Sequence, residues 1–209
     1  MTRHHRALRC LALPAISLLS STAVAAPATP SLAQAQTAMD RMFDDAIADR
    51  PASDSSRLVA AAFRPRLQAL NSCIPLADAA TPTVDCIVTA QAGPEPVHRL
   101  LRFNRVQDQW ALQAEQRGLP VPAPPLPRVR ELLRASFAAR MAAATDARTR
   151  TELERASRSA EVFKVEGCDV GDEAPVIECQ VSAGVGTEHG QQRMAFTWAR
   201  GRWESAPQP

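Results

Sequence analysis

With 209 residues, 45% of them hydrophobic and 22% charged, the chain can bury a core and carries too little charge to stay disordered. A formal charge of +2 excludes a global basic field of the kind that holds nucleic acid or an anionic membrane surface. The complete absence of tyrosine argues against a binding surface rich in aromatic anchors.

Residues 1–25 read as a secretory signal peptide. Arg3, Arg6 and Arg9 form a basic start, Cys10 to Ala25 is mostly apolar, and Ala23, Val24 and Ala25 supply a small-x-small cleavage pattern. Pro14 interrupts the apolar stretch, which falls short of the ~20 residues that span a bilayer. Cleavage after Ala25 is therefore expected, without a membrane anchor. It removes three arginines and no acid, leaving 21 basic and 22 acidic residues.

Ser31 is placed to cap a helix over Leu32–Asp49, whose apolar stripe runs through Ala35, Met39, Met42, Phe43 and Ile47. Ser53 or Asp54 caps a second, shorter helix carrying Leu58, Val59, Ala62 and Phe63, which Pro65 ends. Four strands are expected next, at Arg66–Ser72, Val84–Ala90, Val97–Arg105 and Gln109–Ala114. Five prolines between Gly118 and Pro127 predict an extended, semi-rigid spacer, which could also serve as a proline-rich ligand. Helices follow at Arg128–Ala144 and Asp146–Ser157, then strands at Glu161–Gly167, Val176–Ala183, Gln191–Ala199 and Arg202–Ser205. Eight arginines against four acids between Arg128 and Arg158 read as a solvated helix face. Lys164 is the only lysine.

The second half repeats the first. Cys86, Val88, Ala90, Gly93, Glu95, Phe103 and Trp110 match Cys179, Val181, Ala183, Gly186, Glu188, Phe196 and Trp203 without a gap, and upstream Cys73 matches Cys168. A repeat of cysteine, core and turn positions reports architecture. The expected fold is α+β, a tandem duplication in which each half packs a helix-turn-helix on a four-stranded antiparallel meander with one disulfide. The boundaries are a first repeat at 31–115, a linker at 116–127 and a second repeat at 128–206. Of three possible pairings, only Cys73–Cys86 with Cys168–Cys179 performs the same operation twice. Each bridge is worth roughly 3 kcal/mol in the chain-entropy account, a useful supplement where one half supplies only a small core. This layout resembles that of the tandem bacterial β-lactamase inhibitor proteins, whose helix-start signature Gly-Met-Thr has no counterpart here. The resemblance implies a protein-binding inhibitor.

Chemistry-bearing motifs are scarce. His98 and His189 fall at non-equivalent positions of the two repeats, and nucleophile-elbow, Ser-x-x-Lys and zinc-helix patterns are missing. Gly184, Gly186 and Gly190 mark a hairpin turn, with spacing unsuited to a phosphate loop. Asp169, Asp172 and Glu173 lack the spacing of a calcium loop and read as turn acids. Asp44 and Asp45 are adjacent on a helix and point apart. Trp110 and Trp203 read as core plugs. Trp198 is the one binding candidate, because its partner in the first repeat is Arg105 and a function confined to one half would show at such a departure.

No catalytic residue, metal or cofactor is expected. The chain reads as a periplasmic or secreted protein-binding module: an inhibitor, an immunity-type antidote or an envelope-assembly accessory with a protein partner in the cell envelope. The alternative is an envelope hydrolase or carbohydrate-binding protein whose site is built from dispersed residues. An apolar patch at the seam between the halves would favour the first, a convergent polar pocket the second.

Overall fold

The computed structural model describes residues 29–49, 59, 64–77, 79–91, 93–116 and 118–207. The expected signal peptide lies outside the described residues, and so does the expected second helix apart from Val59, which is helical and exposed. The fold is α+β, with two antiparallel four-stranded sheets, helices packed against them and two disulfides.

Helix α1 spans Leu32–Ala48 and opens with a capping box. Gln34 N–H donates to Ser31 Oγ at 3.2 Å while Ser31 N–H donates to Gln34 Oε1 at 2.9 Å, satisfying two donors that a helix start leaves open. Its buried face is Ala35, Ala38 and Met39. Strands β1 (Arg66–Pro75), β2 (Thr83–Gln91), β3 (Pro96–Val106) and β4 (Gln109–Leu112) form a meander in chain order. One sheet face, with Val84, Cys86, Val88, Phe103 and Trp110, closes a core against α1. Gln36 ties helix to sheet by accepting Leu67 N–H at 2.7 Å. The β3–β4 turn holds Gln107 and Asp108 at φ 47° and 64°, the left-handed pair that a two-residue hairpin requires.

The expected spacer is packed against the body. Val121 packs on the second core and Pro124 is buried. Gln116 brackets Arg102 like a further strand, its Oε1 accepting Arg102 N–H at 3.0 Å and its Nε2 donating to Arg102 C=O at 3.3 Å. Helix α2 begins at Leu126, two residues before the expected Arg128, and runs to Ala143. Pro127 sits in its first turn, where a missing N–H costs no helical bond.

Helix α3, Ala147–Ser159, is capped by Asp146, which accepts Thr149 N–H at 2.7 Å, and packs on α2. Strands β5 (Ala160–Val170), β6 (Ile177–Val185), β7 (Glu188–Ala199) and β8 (Arg202–Ser205) form the second meander. Val129, Leu133, Val162, Cys179, Val181, Phe196 and Trp203 fill the core between α2 and this sheet. Each disulfide, Cys73–Cys86 and Cys168–Cys179, joins the first two strands of its sheet.

The two sheets differ in what covers the face turned away from the helices. In β6, buried Ile177, Cys179 and Val181 alternate with half-exposed Glu178, Gln180 and Ser182, the pattern of a sheet solvated on one side. In β2 both faces are buried from Thr83 to Val88. Ile87, with Ile74 and Leu100 beside it, packs into the second core. The seam is thus formed by the outer face of the first sheet and one end of the second unit.

Candidate functional site

Two polar arrangements fix the seam. Asp85, fully buried between Ile74 and Arg102 in the register of the first sheet, accepts a bidentate pair from Arg102, Nε at 2.6 Å and a terminal nitrogen at 2.7 Å. These hydrogen bonds raise the Arg102 pKa above its usual value against the opposing effect of burial. The second arrangement joins residues 126 positions apart: Ser72 Oγ donates to Trp198 C=O at 3.0 Å and accepts Trp198 N–H at 3.2 Å. Trp198 pairs with Trp203 across β7–β8, and β6 starts too late to satisfy its other edge. In the first sheet Arg105 N–H, which the expected repeat aligns with that of Trp198, goes to Pro82 C=O at 2.9 Å. One side chain of the first unit therefore completes a strand of the second.

One side of the seam opens as a polar cleft of about 710 Å³. His98, Arg99 and Leu100 of β3 face Asp169, Val170, Asp172, Glu173, Glu178 and Arg193. Arg193 is paired to Glu178 at 2.6 Å, and His98 Nδ1 lies 3.1 Å from Thr89 Oγ1. Gly171 sets the acidic loop: a Cβ there would come within 2.8 Å of Ala174 O, and Gly171 N–H donates to Val176 O at 2.9 Å. The cleft can receive a polar or cationic group. Among the described residues no cluster of His, Cys, Asp or Glu is arranged to hold a metal ion.

Along β1 the seam is apolar. A depression of about 490 Å³ is lined by Ile74, Pro75, Leu76, Ala77, Ala79, Pro122, Ala123 and Trp203. Next to it, and sharing Pro75, a groove of about 530 Å³ runs between Leu70–Pro75 and the β7–β8 turn. Trp198 is partly buried in its wall and packs edge to face on Trp203, with ring centroids 5.5 Å apart.

His98 and His189 lie on different sheets. His98 reaches the polar cleft, whereas His189 pairs with Gly184 in β6–β7 and meets Phe163 edge-on at 5.2 Å. Asp169 belongs to β5, while Asp172 and Glu173 lie in the loop that follows. Asp44 shares Arg64 with Asp40. Trp110 and Trp203 are buried in the two cores. Arg148 and Arg158 pair with Glu152 and Glu154, and Lys164 with Glu166. Sequence reasoning missed Ser72, Ile87, Leu100 and the Asp85–Arg102 pair. Their signal was Val84 to Val88, an unbroken buried run around a single aspartate, set against the strict apolar–polar alternation of Ile177 to Ala183.

The described residues contain no helix long and apolar enough to cross a membrane. No protein-family model, curated protein or solved structure matches this chain, so the resemblance to the β-lactamase inhibitor proteins gains no support.

Proposed function

We propose that the chain is an exported envelope protein, periplasmic or secreted, built from two copies of one α+β unit, that acts by binding a protein partner without a chemical step of its own. The duplication is supported by the matching strand order, by bulges after Leu67 and Val162, by the left-handed turns at 107–108 and 200–201, and by the equivalent disulfides. The observation that carries the binding reading is the apolar depression along β1, walled by both units and the proline-rich segment. Apolar surface gathered at such a junction suits a protein partner better than a small polar substrate. Two disulfides suit an oxidising compartment.

The polar cleft favours a second reading, a carbohydrate binder or hydrolase using Asp169, Asp172 and Glu173, which gather carboxylates on one wall opposite His98 and Arg99.

Affinity capture from envelope extract separates the two. Ala77→Glu with Ala123→Glu, which places charge at exposed positions of the depression, should abolish retention of a specific protein, and Asp172→Lys with Glu173→Lys should not. Glycan binding or turnover lost only in the second variant would overturn the protein-binding reading.

A further inference from the structure

Strand β1 is the outermost strand of its sheet, so half of its main-chain groups face away from β2. Which half follows from the register. Leu76 N–H donates to Thr83 O at 3.0 Å, and in an antiparallel ladder hydrogen-bonded pairs alternate with non-bonded ones. Ile74 and Ser72, opposite Asp85 and Ile87, therefore belong to the bonded set. Cys73 belongs to the other, and its Cα lies 4.0 Å from that of Cys86, the close spacing of a non-hydrogen-bonded pair. The N–H and C=O of Cys73, with the C=O of Pro75, point to the open edge. Among the described residues no hydrogen-bond partner meets them.

That edge is one wall of the groove that Trp198 lines. Of the side chains there, Ser72 Oγ serves Trp198, Asn71 Nδ2 donates to Thr89 Oγ1 at 2.9 Å, and one terminal nitrogen of Arg200 is held by both carboxylate oxygens of Glu204 at 2.9 and 3.0 Å; Thr29 and Pro30, just ahead of α1, belong to the same lining. What the main chain of β1 offers a ligand there is one donor and two acceptors at strand spacing beside Trp198, Leu70 and Pro75. Such a set is complementary to a main chain. The geometry points to this groove as the docking site for an extended peptide segment of a partner protein, which pairs its backbone with Cys73 and lays an apolar side chain against Trp198. The register shift between Leu70 and Ser72 and the missing N–H of Pro75 limit the pairing to a few residues, which admits a peptide and discourages sheet-to-sheet stacking. Cys168 differs, because it falls within the register shift between Glu166 and Asp169 of β5, next to Gly167 at φ 56°. The residue of the first half that the repeat aligns with Trp198 is Arg105, which pairs with Asp108, so the indole is not supplied twice.

The inference rests on the binding-module reading, and the test uses the full chain. Random heptapeptides displayed on phage are selected on it, with Asn71→Trp as counter-selection. A selected peptide is then synthesised with single backbone N-methyl groups. The expected result is a shift of the Cys73 amide and the Trp198 indole signals in NMR spectra. N-methylation at alternate residues should weaken binding about tenfold or more, equivalent to about 1.4 kcal/mol, and Asn71→Trp should do the same. Asn71→Arg replaces that variant if its melting temperature is altered, and the wild-type NMR map depends on neither. Selected peptides that bind Asn71→Trp equally well, indifference to N-methylation, or failure to enrich any peptide would each overturn the proposal. So would a groove-dependent dimer, or binding seen only once residues 26–28 are removed, because the groove would then belong to another occupant. Envelope-protein capture that survives Asn71→Trp defeats the groove alone and leaves the binding-module reading standing.

Discussion

Removing Arg102 isolates a charge at the seam. The Asp85 side chain is 0% exposed and that of Arg102 17%, and no other described residue hydrogen-bonds the carboxylate. Arg102→Met keeps most of the side-chain volume and leaves the carboxylate without compensation, a change that costs about 3–5 kcal/mol. Asp85→Leu strands the guanidinium instead. Because Arg102 retains a path to solvent, its head can turn outward, and the loss should sit at or below the lower end of that range. Replacing both residues removes the desolvation penalty along with the attraction, and should return stability to within about 2 kcal/mol of the parent. Urea unfolding followed by tryptophan fluorescence measures all four corners of the cycle. An Arg102→Met variant within about 1 kcal/mol of the parent at pH 7 would refute the placement of Asp85 as a buried charge dependent on a single partner.

Ser72→Ala leaves both edge groups of Trp198 unpaired and should cost about 1–3 kcal/mol, with the Trp198 signal displaced in NMR spectra. Gly184→Ala drives a Cβ into His189 Nδ1 and to 2.9 Å from Glu188 O; the ring can swing away and the carbonyl cannot, so thermal unfolding should show destabilisation that His189→Ala relieves only in part. Asp146 is held below the usual carboxylate pKa, chiefly by the Thr149 N–H it accepts. Its contribution is therefore present above the unfolded-state value and lost as pH falls through the lower folded-state value. Asn caps a helix equally well without titrating, so the stability difference between the parent and Asp146→Asn should shrink on acidification below about pH 4. Separated halves should both self-associate in sedimentation, since residues 26–115 expose Ile74, Ile87 and Leu100 and residues 116–209 expose the end of the core that received them.

By itself the sequence determined the local structure. Ser31 and Asp146 cap helices because their side chains reach backbone donors within their own first turns, and Gln107, Asp108, Arg200 and Gly201 turn hairpins through their own backbone angles. Cysteine pairing was legible because, under the proposed duplication, only one pairing performs the same operation twice. Trp198 stood out as a departure from the repeat, although nothing in its neighbours indicated that the hydroxyl completing its strand comes from Ser72. That hydrogen bond, the burial of Ile87 and Leu100, and the isolation of Asp85 exist only once the second unit docks on the first sheet. Their physical reason is desolvation by a surface distant in the chain. Period-2 patterning records that one face is buried, as it does from Ile177 to Ala183, and the unbroken run from Val84 to Val88 that both are, but the covering partner is chosen by complementarity between two folded surfaces. The groove at β1 is likewise tertiary, because an open strand edge becomes a site only where Trp198 is brought alongside it.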